Sequence, residues 1–130
     1  IAYSEALVLA ERNLESIPPG RVDRQRDRAV ALNLVAQLHR KLGHYAKAVA
    51  MQRTALAIFK KVSRTADVDV VEGLNNLAGL YRTQAEYSLA ERTAKQALTI
   101  NGRRSLPEQF AEVKSLVLLA NVRFDRARYA

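Results

Sequence analysis

The sequence predicts an all-α chain, an α-solenoid in which antiparallel helix pairs stack on one another. Three observations point there. The 27-residue line LNLVAQLHRKLGHYAKAVAMQRTALAI, from Leu32 to Ile58, returns 42 residues later as LNNLAGLYRTQAEYSLAERTAKQALTI, from Leu74 to Ile100. Ten aligned positions are identical, where composition alone would give about two or three. Apolar residues recur at helical spacing through both copies, and no segment alternates with period two over a useful length. Stepping 42 residues forward again lands on Leu116, Leu119, Ala120 and Tyr129, and stepping back lands on Tyr3, Ala6 and Leu14. One domain therefore covers the chain, and a period in this range means stacked supersecondary units that present a long surface to a partner.

The elements follow in order. Over 3–16, Ala6, Leu7, Leu9, Ala10 and Leu14 form a helical stripe, which Ile17-Pro18-Pro19-Gly20 breaks. The first full repeat occupies 24–64. Its leading helix runs from about Arg24 to Leu42 with Ala31, Leu32, Val35, Leu38 and Leu42 on one face, and Gly43 ends it. Tyr45 opens its second helix, which carries Ala48, Val49, Ala55, Leu56, Ile58 and Phe59 inward. The next repeat occupies 67–101. Asp67 and Asp69 suit its N-terminal cap and first turn. Val71, Leu74, Leu77, Ala78 and Tyr81 face inward from its leading helix, and Tyr87, Leu89, Ala90, Ala97, Leu98 and Ile100 from the second. Asn101-Gly102 supplies a left-handed stop. The last segment, 107–130, opens with Ser105 as cap and Pro107 in the first turn, and its helix reaches to about Ala127.

Small residues recur at Ala36/Ala78/Ala120, Ala48/Ala90 and Ala55/Ala97. Two helices joined by a short turn approach to roughly 8–10 Å when small side chains meet at their crossing. Leu32/Leu74/Leu116 and Leu56/Leu98 then fill the space beside it.

The strings L-N-N-L-A-G-L-Y-R-T-Q-A-E-Y-S-L-A-E, from Leu74 to Glu91, and A-L-T-I, from Ala97 to Ile100, resemble the tetratricopeptide repeat family in its 42-residue, kinesin-light-chain-like form. The first repeat resembles it more loosely, with Val35 and His39 standing for Leu77 and Tyr81, and the last departs further, with Arg123 at the aromatic position and Ala127 at the usual glycine. The resemblance implies a right-handed superhelix of helix pairs. HEAT-like pairs have a similar period, but the position-specific small residues and Tyr45/Tyr87/Tyr129 at the helix-helix turn favour the tetratricopeptide form. The chain starts at the second helix of one repeat and stops after the first helix of another, so we expect a piece of a longer array, with open ends that could self-associate.

In that family the leading helix of each pair lines the concave face. Carrying the positions over places Asn33, Gln37 and Arg40 in the groove from the first repeat and Asn75, Gly79 and Arg82 from the second, with Asn76 and Asn121 on or next to this face and Lys41 and Lys114 extending it. Asparagine amides can bracket the backbone of an extended peptide, and arginines beside them select carboxylates. Glu72 works against this positive face. Some family members hold a partner's C-terminal carboxylate with Lys and Asn from three successive leading helices; Asn76 and Lys114 fall at matching places, but Asn33 and Leu118 stand where that clamp needs Lys and Arg. The expectation is thus a general preference for extended, acidic peptides.

Charge and composition bound the alternatives. The net charge of +8 is concentrated between Arg21 and Arg64, where eleven Lys/Arg face two Asp. A nucleic-acid contact through 21–64 is one alternative, although the aromatic platforms that single strands stack on are missing. A regulatory or sensor module of a larger bacterial protein is another. No apolar run is long enough to span a membrane, and the absence of cysteine predicts a reducing, cytoplasmic setting. His39 and His44 are five apart, off the spacing that shares one metal on a helix, and read as surface or groove-edge residues. Asp67-Val-Asp69 lacks the glycine and terminal glutamate of a calcium loop. No metalloprotease, phosphate-loop or nucleophile-elbow motif occurs. The sequence therefore predicts a protein-binding scaffold with no cofactor, no metal and no enzymatic activity.

Overall fold

The computed structural model describes residues 2–62, 67–101 and 109–129, with backbone alone for 67, 101 and 109–114. Those residues form six α-helices, α1 (Ala2–Glu15), α2 (Gln25–Lys41), α3 (Tyr45–Val62), α4 (Asp67–Thr83), α5 (Tyr87–Asn101) and α6 (Gln109–Tyr129), with one 3-10 turn at Val22–Arg24 and no strand among them. The chain divides into two compact units, Ile1–Ser63 and Arg64–Ala130. All the packing below lies within one or the other.

In the first unit α2 and α3 lie side by side along their length, and α1 packs on α2. Only Leu42, Gly43 and His44 separate α2 from α3, so the pair is antiparallel. The turn has a physical cause. The amides of Gly43 and His44 donate to the carbonyls of Arg40 (3.1 Å) and His39 (2.8 Å), which satisfies the last carbonyls of α2 and needs a left-handed residue at Gly43, where φ is 81°. Ala36, Ala48 and Ala55 are wholly buried beside Val35, as a close helix crossing requires. The start of α2 is one residue later than the sequence predicts, because the 3-10 turn takes Arg24. There the Gln25 amide nitrogen donates to the carbonyls of Pro19 (2.9 Å) and Arg21 (2.8 Å), tying the proline-rich connection to the helix. Ile17, just ahead of the prolines, is buried, whereas Leu9, expected on the inward stripe of α1, is 65% exposed.

In the second unit α4 pairs with α5, α5 packs on α6, and α4 also touches α6. Ala78, Ala94 and Leu119 form a buried cluster, flanked by Leu98 and Leu118. Ala90 and Ala97 are wholly buried, as their counterparts Ala48 and Ala55 are. The turn from α4 to α5 repeats the earlier one bond for bond: Ala85 donates to Arg82 (3.0 Å) and Glu86 to Tyr81 (2.8 Å).

Three expectations need correction here. Leu116 and Ala120 are exposed rather than buried. The buried side of α6 carries Ser115, Leu119 and Val122, and among the described residues no helix covers the side that Leu116 and Ala120 share. Leu89, expected inward, is 37% exposed at the start of α5. Ala127, at the position where Gly43 and Ala85 turn the chain, stays helical, and α6 continues to Tyr129. Asp67 is the first helical residue of α4; its capping role, and the signals expected at Gly102, Ser105 and Pro107, lie outside the described residues.

Candidate functional site

The leading helices α2 and α4 carry the residues singled out by the repeat. On α2, Asn33, Gln37 and Arg40 are partly exposed and Lys41 is exposed. They follow one another at helical spacing along one polar strip. Arg40 and Lys41 fall in the last turn of α2, where cations are favoured by the helix dipole. Neither joins an ion pair among the described residues, so the C-terminal end of this strip presents two uncompensated positive charges.

The corresponding strip on α4 meets α6. Asn75, Asn76 and Arg82 are partly exposed, but two of them are engaged by α6. The Ser115 hydroxyl donates to Asn75 Oδ1 at 2.9 Å, and Arg82 Nε donates to Asp125 Oδ2 in an ion pair. These contacts climb both helices in the same direction, so α4 and α6 run parallel. The bond to Ser115 uses an acceptor of Asn75, whose amide nitrogen keeps its donors. Asn121 is exposed on α6, while the Lys114 side chain lies outside the described residues.

Sequence reasoning missed Asp125 and Ser115. Their signal is register: Asp125 follows Arg82 by 43 residues and Ser115 follows Asn75 by 40, each about one repeat on. It also missed Glu91 on α5, whose carboxylate meets Arg123 at 3.2 Å, Lys95 at 3.3 Å and Arg126 at 2.8 Å. Arg123, then Lys95, hold this carboxyl below its usual range. Arg123 and Arg126 pin α6 to α5 through this carboxylate, and with Lys95 of α5 they leave a local surplus of positive charge.

The histidines also depart from expectation. His39 is buried rather than at the surface, at 3% exposure. The turn at Gly43 carries His44 back over the end of α2, so that the two Nδ1 atoms lie 3.1 Å apart although the residues are five apart in sequence. On the other side His39 Nε2 lies 3.5 Å from Glu11 of α1. Burial pushes the His39 imidazole below its ordinary value, with Glu11 opposing the shift and His44 and Lys47 adding to it. Among the described residues no group of three or more His, Asp or Glu is placed to hold a metal ion, and no helix is long and apolar enough to cross a membrane.

Within the basic segment 21–64 both aspartates are spent on neighbouring arginines, Asp23 on Arg21 at 2.8 Å and Asp27 on Arg24 at 3.2 Å. These exposed pairs are of the kind worth about 1 kcal/mol or less, and neither involves Arg40 or Lys41.

A family model described as tetratricopeptide repeat covers residues 27–103, more than half of the chain. No curated protein gives a significant match.

Proposed function

This chain belongs to the tetratricopeptide repeat family, whose repeats generally mediate protein-protein interaction and are typically non-catalytic, and we propose that its leading helices bind an extended, acidic segment of a partner protein. The observation that carries the proposal is the polar strip of α2, where Gln37 and Arg40 are partly exposed and Lys41 is exposed, in line with Asn33. Amides offer a donor and an acceptor to a peptide backbone in any sequence context. Two unpaired cations at the end of the strip then favour carboxylate side chains. Within the first unit Asn33 and Gln37 supply recognition of the extended backbone, and Arg40 and Lys41 supply the charge selection.

The test is fluorescence anisotropy with two capped octapeptides, one alternating Asp with Gly and one alternating Lys with Gly. The acidic peptide binds at least about tenfold tighter, a difference of about 1.4 kcal/mol, and Arg40→Gln weakens it while circular dichroism stays unchanged. Equal binding of the two peptides, or an acidic affinity indifferent to Arg40, rejects the proposal.

A further inference from the structure

The two arginines that the repeat places at one position are not electrostatically equivalent. Arg82 is 35% exposed and is engaged by Asp125, whose side chain is 17% exposed. Arg40 joins no ion pair among the described residues. One repeat before Asp125 the chain carries Thr83, so the sequence does not repeat the acid.

We propose that Asp125 is a built-in competitor for acidic ligands, masking Arg82 and confining carboxylate capture to the repeat that carries Arg40. The inference rests on the reading of the leading helices as a peptide-binding surface. An incoming carboxylate near Arg82 meets a neutral pair, because the charge of Asp125 lies beside the guanidinium it would approach. Asp125 occupies the Nε position that a peptide carboxylate would use in a bidentate grip, so only the remaining Nη groups are left for the ligand. Ser115 does the same more weakly at Asn75, where it takes an acceptor but leaves the donors. The α4 strip is thus tuned toward a neutral stretch of backbone and the α2 strip toward an acidic one.

The experiment measures binding of the capped Asp-Gly octapeptide to the wild-type chain and to the Asp125→Asn, Arg82→Gln, Arg40→Gln and Asp125→Asn/Arg82→Gln variants. Asn keeps the shape of Asp125 and removes its charge. Asp125→Asn tightens binding about fivefold, the scale expected for a partly exposed charge pair, and the gain disappears in the double variant. In the wild-type background Arg40→Gln weakens binding more than Arg82→Gln does. Unchanged or weaker binding by Asp125→Asn, in a chain that still depends on Arg40, overturns the masking role while the peptide-binding reading stands. No measurable binding by any variant overturns both. Asp125→Ser, read beside the helical signal of each variant, separates loss of the mask from loss of the fold: a folded Ser variant must show the same gain.

Discussion

Gly43 and Ala85 occupy the same position of successive repeats, and both turn the backbone left-handed, at φ 81° and 61°. The hydrogen bonds around them are the same, so the turn is imposed by the helix pair and not by the residue type. At Gly43 an added Cβ would meet nothing within 4 Å, which makes the cost of a side chain there purely conformational. A non-glycine residue in this region costs about 1 kcal/mol. Ala85→Gly therefore raises stability by about that amount, and Gly43→Ala lowers it similarly, as read from urea unfolding midpoints. An Ala85→Gly variant no more stable than the parent would show that the turn is not left-handed in solution.

His39 links pH to the stability of the first unit. Its surroundings are Glu11 from α1, Lys47 from α3 and His44 from the turn, and burial is the leading cause of its lowered pKa. A folded pKa below the unfolded value of about 6.5 means that the fold prefers neutral imidazole. The stability so gained is complete above the unfolded pKa. It is lost as the pH falls through the lower folded value. The second repeat has Tyr81 at this position, so His39→Tyr offers a matched control. Thermal melts from about pH 7.5 down to about pH 5 show a falling midpoint for the parent and a flatter profile for His39→Tyr. Parallel profiles would remove His39 as the cause.

Most of the architecture is legible in the sequence because it is carried by short-range pattern. The apolar stripes through Leu32 and Leu74 and Gly43 at the turn act through neighbours three or four residues away, and the crossing alanines act between helices joined by a short turn. The exposure of Ala120 is not legible, because a helix face is buried only if something lies against it. Asn75 and Arg82 are legible as polar positions of a leading helix. Their partners Ser115 and Asp125 are not, since a contact across 40 or 43 residues depends on how two parallel helices align. The pairing of His39 with His44 escapes a rule about straight helices because the left-handed turn intervenes.

The close crossing of α4 and α5 makes a size test available. Ala78 is wholly buried in a cluster with Ala94 and Leu119, where additional methylenes force neighbouring side chains off their rotamers. Ala78→Leu destabilises the chain by about 1–3 kcal/mol. The exposed Ala120, its counterpart one repeat later, tolerates the same substitution within about 0.5 kcal/mol. Equal effects at the two sites in urea unfolding would contradict the difference in burial.

Gln52 on α3 is wholly buried, and neither its amide oxygen nor its nitrogen has a hydrogen-bond partner among the described residues. One repeat later the same position is Ala94, also wholly buried and apolar. An amide removed from water without a partner costs about 1–3 kcal/mol, so this residue works against the stability of the helix pair that holds it. Gln52→Met keeps nearly the same length and removes both polar atoms. It raises stability by about 1–2 kcal/mol. Gln52→Ala copies the later repeat but leaves a space that the surrounding side chains do not fill, and it falls below the methionine variant by a cavity cost of about 1 kcal/mol or more. Urea midpoints in the order Met, parent or Ala, with Met highest, are the expected result. A methionine variant less stable than the parent would mean that the amide is satisfied in solution, by water or by a rotamer that pairs both of its ends.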